Sequence, residues 1–216
     1  DVHKIHNLDD LPGRLGVGHT RWATHGAPSQ SNAHPHTNCD GQIAVVHNGI
    51  IENFSELKTE LLNQGHLFRS KTDTEIISHL IEENLKRGSS LVEAVRDAVK
   101  RLEGSYAIAA ISTLEPDRII CARKESPLVV GIAENAVYCA SDIPAFLPLT
   151  NKVVIIENDE LAILSHDMYE IRKVDEWQPA VREPEVVTWT PQMAEKQGYP
   201  HFMIKEIHEQ PLCLRN

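Results

Sequence analysis

Two short stretches of the sequence end apolar runs with side chains that can bind an anion. The first is "GHTRWATHG" at residues 18–26, and the second is "VVHNG" at residues 45–49. Arginine presents a planar guanidinium to carboxylates, and an asparagine followed by a glycine offers side-chain and backbone N–H donors. Such residues predict either two solvent-exposed loop tips, which are the commoner case, or one anion-recognising pocket at the edge of a sheet.

The composition is that of an ordinary soluble globular protein. The chain has 216 residues, enough for one sizeable domain, and is 41% hydrophobic and 24% charged. Its net charge of −10 argues against binding nucleic acid or an anionic membrane through a basic surface. No apolar run is long enough to cross a bilayer, and "DVHKIHNLDD" lacks the apolar core of a signal peptide. The four cysteines form no CxxC pair, so we expect a reducing, cytoplasmic location.

The first half of the chain predicts strands followed by helices. "RLGVGHTRW" and "QIAVVHN" are strand-like, and each is a short run that ends at the polar residues described above. Three amphipathic segments follow, each with a glycine at its predicted end. Thr72 and Glu75 have the spacing of a capping box in the second helix, and Ser90 and Glu93 have it in the third.

The second half of the chain is rich in predicted strands. Seven short runs, from "YAIAAIS" to "MYEIRK", are separated by turn-forming residues. "YAIAAIS" and "KVVIIEN" are apolar on both alternating faces, which indicates strands that are covered on both sides. Strands, then helices, then more strands favour an α+β fold of packed sheets with helices outside over a doubly wound fold. Residues 175–198 lose this pattern and predict an extended surface linker.

Seven motifs in order carry a resemblance to a known family. They are "HTRWATHG", "NAHPH", "HNGIIENF", "TDTE", "ESPLVVG", "ASD" and "HFMIKEIHEQP". Together they closely resemble the glutaminase domain of the glucosamine-6-phosphate synthase family, the isomerising glutamine–fructose-6-phosphate aminotransferases. These are class II, N-terminal-nucleophile (Ntn) glutamine amidotransferases. The resemblance implies a four-layer αββα sandwich of the Ntn-hydrolase fold and hydrolysis of glutamine to glutamate and ammonia for amino-sugar biosynthesis.

The resemblance also predicts how the chain is organised. It implies a glutaminase domain at residues 1–198, truncated at its N-terminus and closed by the surface linker at 175–198. Residues 199–216 would begin the connection to an absent sugar-phosphate isomerase domain. The family nucleophile is a cysteine at the mature N-terminus, whereas this chain begins at Asp1 and has no cysteine nearby. We therefore expect an enzyme in the longer protein and no activity from this chain alone.

Individual roles follow from the resemblance, residue by residue. Arg21 matches the arginine that holds the α-carboxylate of L-glutamine, and Asp73 matches the acid that pairs with its α-ammonium. Asn48 and Gly49 match the oxyanion hole. Three further residues lie on the loop that closes over bound glutamine: Trp22, Thr24 and His25.

Each of these roles has a structural alternative. Arg21 is also consistent with a surface salt bridge, and Asp73 with a carboxylate that interacts with the dipole at a helix start. Asn48 with Gly49 is consistent with a hairpin turn, although "HNGIIENF" leads into a helix rather than a partner strand. Trp22 is consistent with a side chain buried in the core as well as with one that controls the passage of ammonia between domains.

The resemblance implies a set of ligands and partners. These are L-glutamine, fructose-6-phosphate through the absent C-terminal domain, no cofactor, and a longer protein that is a homo-oligomer. A different class of function is a non-catalytic module that binds glutamine or glutamate. A third is a metal-binding domain, suggested by the 12 histidines and in particular by His19, His25, His34, His36 and His47. No cysteine or carboxylate spacing accompanies those five, so structural histidines and no metal site are the preferred interpretation.

Overall fold

Two antiparallel β-sheets organise the part of the chain that the computed structural model describes, residues 13–21, 26–188 and 196–215. In chain order the strands are β1 (His36–Thr37), β2 (Ile43–Ile51), β3 (Gly104–Ser112), β4 (Glu115–Lys124), β5 (Val129–Ile132), β6 (Val137–Ala140), β7 (Lys152–Ile155), β8 (Glu160–Leu164), β9 (Tyr169–Lys173) and β10 (Glu185–Val186). The larger sheet has the order β1-β2-β3-β4-β8-β9, and the smaller sheet has the order β10-β7-β5-β6. All seven strands predicted in the second half of the chain are present.

Three helices lie on the outer face of the larger sheet. They are α1 (Phe54–Asn63), α2 (Glu75–Lys86) and α3 (Leu91–Val99), and their apolar faces share one buried cluster with β2, β3 and β4. A fourth helix, α4, spans Phe202–Cys213. None of these described helices is both long and apolar enough to cross a membrane.

The helix starts confirm one predicted capping box and correct the other. At α3, Ser90 accepts a hydrogen bond from the backbone N–H of Glu93, and the Glu93 side chain accepts one from Ser90. At α2, the capping box predicted at Thr72 is wrong, since the N-cap position is Thr74 and its side chain makes no capping hydrogen bond. The Glu75 carboxylate instead accepts the backbone N–H groups of residues 69 and 70, both at 2.7 Å, because the preceding loop folds back over it.

The strands that are apolar on both faces lie between two cores, as predicted. In β3, Tyr106 and Ile108 face the helices, while Ala107 and Ala109 belong to the cluster between the sheets. A third cluster covers the outer face of the smaller sheet and includes Phe146 from the turn after the short 3₁₀ segment Ile143–Ala145. Helices, two packed sheets and this outer cover confirm the α+β prediction.

Two predictions about the first strands are wrong. Residues 13–21 form no strand in the described structure; they run extended, with Leu15 and Val17 packed against the core between the sheets. The strand predicted to end at Asn48 continues to Ile51, because its pairing with β3 extends over nine residue pairs. The polar residues of "HNG" therefore lie within a strand rather than in a loop.

The segment after β9 is held to the surface of the sheets. The Arg182 guanidinium donates to both carboxylate oxygens of Glu160 at 2.6 Å, and Glu160 is only 1% exposed. Tyr169 donates from its hydroxyl to the Arg182 carbonyl at 2.8 Å, and β10 joins the edge of the smaller sheet. The predicted boundaries of the linker and of the domains stay predictions.

The Arg182–Glu160 pair predicts a measurable loss of stability. Removing one partner of a buried ion pair leaves an uncompensated charge, so Arg182→Met should lower the free energy of unfolding by about 3 kcal/mol. Arg118→Met is the matched control, because Arg118 is half exposed and lies 3.6 Å from Glu115, and its loss should be below about 1 kcal/mol. Urea unfolding followed by circular dichroism measures both; equal losses would contradict the assignment.

Candidate functional site

A cavity of about 170 Å³ lies where the end of β2 meets the residues before α2. Four of the seven residues to which the family resemblance assigns a role line this cavity: Arg21, Asn48, Gly49 and Asp73. The structure thus gathers them around one space rather than at two separate loop tips. Six further residues complete the lining: His19, Thr20, His34, His47, Thr72 and Thr74. The other three candidates, Trp22, Thr24 and His25, lie outside the described residues.

The backbone of β2 turns one set of N–H groups towards this cavity. In an antiparallel pair, N–H groups point alternately towards and away from the partner strand. Glu52 N–H donates to the Glu103 carbonyl beside β3, so the N–H groups of His47, Gly49 and Ile51 point to the opposite edge. The first of these donates to His34 Nδ1 at 3.3 Å and the last to Asp73 Oδ2 at 2.9 Å. Gly49 N–H lies between them, at the cavity lining.

The backbone at Gly49 requires a glycine. Its φ is +124°, in a region that side chains with a Cβ rarely adopt. A Cβ built there would lie 2.1 Å from the carbonyl oxygen of Ser105 on the neighbouring chain segment. Any other residue would push β2 away from β3 and displace the N–H group that faces the cavity.

The side chain of Asn48 is oriented by a histidine. His19 Nε2 lies 2.7 Å from Asn48 Oδ1, and a ring N–H there must donate to the amide oxygen. The His19 ring in turn stacks on His34, with centroids 4.2 Å apart. This arrangement fixes the amide so that Nδ2 is the group left to donate on its other side.

Asp73 joins the end of β2 to the start of α2. Asp73 lies two residues before the first residue of α2 and is 3% exposed. Its carboxylate accepts a hydrogen bond from the backbone N–H of Ile51. This position is compatible with the helix-start alternative, in which the carboxylate interacts favourably with the helix dipole.

Arg21 is held by two backbone carbonyl groups at residues 26 and 27. Its guanidinium donates to the Gly26 carbonyl at 3.0 Å and to the Ala27 carbonyl at 3.3 Å. These two contacts restrict the orientation of the guanidinium, which contributes to the lining of the cavity.

A chain of hydrogen bonds fixes the histidines beneath the cavity. Burial lowers the pKa of His34 to about 3, with a further contribution from His19, and burial lowers the pKa of His47 to about 4. Both rings are therefore neutral near pH 7. His34 Nδ1 accepts from the His47 backbone, so its Nε2–H donates to Thr74 Oγ1 at 3.3 Å. The Thr74 hydroxyl then donates to His47 Nδ1 at 2.9 Å.

Four of the five histidines of the metal hypothesis use at least one ring nitrogen in a hydrogen bond, and the fifth, His25, lies outside the described residues. His36 Nε2 lies 2.9 Å from Thr72 Oγ1, and both nitrogens of His34 are engaged as described. The sequence interpretation missed the supporting role of Thr72 and Thr74. The signal was present, since in "TDT" these two residues flank Asp73.

Comparison with known proteins connects this site to two groups of enzymes. The chain is 52% identical over 207 residues to glutamine–fructose-6-phosphate aminotransferase (isomerizing) from Thermococcus kodakarensis, covering 96% of this chain and 34% of that protein. It is 53% identical over 213 residues to the enzyme of the same name from Symbiobacterium thermophilum, covering 97% of this chain and 34% of that protein. The chain thus spans about a third of the length of these curated relatives.

Solved structures show a related fold. The glutamine phosphoribosylpyrophosphate amidotransferase from B. subtilis, complexed with ADP and GMP, superimposes with a TM-score of 0.59 and 26% identity, over 73% of this chain and 34% of that one. A structure described as the allosteric regulatory enzyme of purine biosynthesis gives a TM-score of 0.61 and 27% identity, over the same 73% and 34%. These similarities confirm the predicted Ntn-hydrolase fold class.

The family assignment rests on the segment that contains the cavity. Residues 19–148 match the family described as "Glutamine amidotransferase domain", which is more than half of the chain. That range includes all four described candidate residues and, apart from Gly18, both motifs that end the first apolar runs. The chain belongs to the family of glutamine amidotransferase domains.

Proposed function

We propose that this chain is the glutamine-hydrolysing part of a glutamine–fructose-6-phosphate aminotransferase, which releases ammonia for amino-sugar synthesis. The observation that carries the proposal is the single cavity lined by Arg21, Asp73, Asn48 and Gly49. The relatives with this name, which are about half identical to the chain, support the choice of reaction.

The two charged residues select a free amino acid. Arg21 offers a guanidinium to an α-carboxylate, and Asp73 offers a carboxylate to an α-ammonium. Because both line one cavity, they hold the two charged groups at the same end of L-glutamine. Each charged hydrogen bond contributes about 1.5–3 kcal/mol net. The amide side chain of the substrate then extends towards β2.

The end of β2 provides the groups that stabilise the transition state. Attack on the glutamine amide places negative charge on its oxygen, and fixed donors aimed at that oxygen lower the barrier. The proposal assigns this role to Asn48 Nδ2 and Gly49 N–H, which point away from His19 and from β3, respectively. Both are held by the sheet, so little reorganisation is needed during the reaction.

The proposal assigns the nucleophile to a cysteine that this sequence does not contain. Among the described residues, none of the cysteines lines the cavity. The family resemblance implies an N-terminal cysteine whose thiolate forms a thioester with the substrate. The same observation favours the second candidate, a module that binds glutamine without hydrolysing it, and glutamate release by the full-length protein decides between the two.

Loss of Arg21 should weaken glutamine binding. In the full-length protein, Arg21→Ala should raise the KM for glutamine about 10- to 100-fold, because one charged contact to the substrate is lost. Arg118→Ala, which removes an exposed guanidinium in β4, should leave the KM unchanged. Steady-state glutamate release at saturating fructose-6-phosphate gives both values. An unchanged KM in Arg21→Ala would remove the carboxylate-binding role.

Loss of Asn48 should slow the chemical step instead. Asn48→Ala should lower kcat for glutamate release by about 100- to 1,000-fold, with little change in KM, because the donor acts on charge that develops in the transition state. The control is Asn135→Ala, at an exposed bend between β5 and β6. The opposite pattern, a raised KM at constant kcat, would show that Asn48 binds the ground state and the transition state equally and would contradict the oxyanion role.

A further inference from the structure

Four side chains with metal-binding atoms converge beside α2, and none of them lines the cavity described above. Cys39 lies between β1 and β2, His66 lies after α1, and His79 and Glu82 lie on α2. One ligand atom from each lies within 4.8 Å of the other three. His79 is fully buried, while His66 and Glu82 are 2% and 4% exposed.

The spacing of these four atoms matches the edges of a tetrahedron. His66 Nδ1 and His79 Nδ1 are 3.1 Å apart, and each lies 3.3 Å from Glu82 Oε2. Cys39 Sγ lies 3.7 Å from both nitrogens. Tetrahedral zinc, with bonds of about 2.0–2.2 Å to nitrogen or oxygen and about 2.3 Å to sulfur, has edges of about 3.3 Å between the lighter ligands and about 3.6 Å from sulfur to nitrogen.

We propose that Cys39, His66, His79 and Glu82 bind one Zn²⁺ ion in a closed, structural site. Zinc accepts this mixture of sulfur, nitrogen and oxygen ligands, and four protein ligands leave no position for a substrate. A thiolate and a carboxylate balance the two charges of the ion. The alternative cations that prefer oxygen ligands alone, Mg²⁺ and Ca²⁺, do not suit a cysteine with two imidazoles.

The groups around the four ligands orient them for a metal. His66 Nε2 lies 2.8 Å from Glu83 Oε1; a hydrogen bond to this carboxylate places the ring proton on Nε2 and leaves a lone pair on Nδ1. Such a carboxylate–histidine pair is the usual support of a metal-bound imidazole. The two oxygens of Glu82 have different partners: Oε1 lies 3.0 Å from Lys86 Nζ, and Oε2 lies 3.3 Å from both histidine Nδ1 atoms.

His79 gives an independent indication. Its Nε2 is buried and has no hydrogen-bond partner among the described residues, although Glu75 Oε1 lies 3.7 Å away. If Nδ1 binds a metal, the ring proton must reside on Nε2, where it faces that carboxylate. Two buried Nδ1 atoms at 3.1 Å can share only one proton between them, whereas an ion satisfies both lone pairs.

The proposed ion would join three segments that are distant in sequence. Cys39 and His66 are 27 residues apart, and His66 and His79 are 13 apart. The site therefore fixes the loop after β1 and the connection before α2 to the helix itself. Since α2 begins immediately after Asp73 and Thr74, the ion would stabilise the element that positions one side of the glutamine cavity.

Zinc content of the purified full-length protein tests the proposal. Protein prepared without chelators should contain about one zinc per chain by plasma mass spectrometry, and Cys213→Ser should match it, because Cys213 is exposed and remote from the cluster. Cys39→Ser should lose most of this zinc. Glu83→Gln, which keeps all four ligands, should bind zinc about 10- to 100-fold more weakly in a competition with a chromophoric chelator.

A second measurement covers the case in which Cys39→Ser does not fold. Metal-stripped wild-type protein should bind Co²⁺ with visible bands of tetrahedral geometry and a near-ultraviolet thiolate-to-cobalt band, and Zn²⁺ should displace it and raise the melting temperature. The same spectrum in Cys213→Ser would exclude that cysteine as the sulfur ligand. Wild-type protein without stoichiometric zinc, without the cobalt spectrum and without a shift in melting temperature would overturn the proposal.

Discussion

The hydrogen bond from Ile51 N–H to the Asp73 carboxylate is the contact on which the candidate site depends. It joins the last residue of β2 to the chain just before α2, in a place where both partners are buried. An unpaired carboxylate at this depth would be costly, so the bond fixes the separation between the strand and the helix. Asn48 and Gly49 lie on the strand side of this contact and Thr74 lies on the helix side. The cavity lies between these two sides, whose separation depends on the Ile51–Asp73 hydrogen bond.

Neutral histidines maintain that space without adding charge to it. The rings of His34 and His47 connect β2 to Thr74 through hydrogen bonds, and their lowered pKa values keep them neutral. A protonated imidazole there would place a positive charge close to the Asp73 carboxylate. The histidines of "HPH" therefore serve to form hydrogen bonds between segments. The charged groups that line the cavity are Arg21 and Asp73.

The sequence predicted the fold better than it predicted the site. Short apolar runs separated by turn-forming residues located β3 to β9, because those strands contribute apolar side chains to the buried clusters. At β2 the apolar run located the strand but placed its end at Asn48, because the pairing with β3 that continues it to Ile51 involves a segment distant in sequence. Arg21 and Asp73 were identified by family resemblance, since no spacing rule connects two charges that meet only after folding. No spacing rule connects Cys39 and His66 either, because they also meet only after folding. His79 and Glu82 are three residues apart on one helix face, and this spacing alone indicated that their side chains are neighbours.

Helix α2 carries both features at different points along its length. Its N-terminal end follows Asp73 and Thr74, which line the cavity, while His79 and Glu82 lie one to two turns further along and face the proposed zinc site. The helix has only 12 residues, and a short helix depends on tertiary contacts to keep its position. A buried cluster that holds its second turn to the loop after β1 therefore limits the motion of its first turn. In this way a structural site that touches no substrate can determine how precisely a charged pair in the neighbouring cavity is placed.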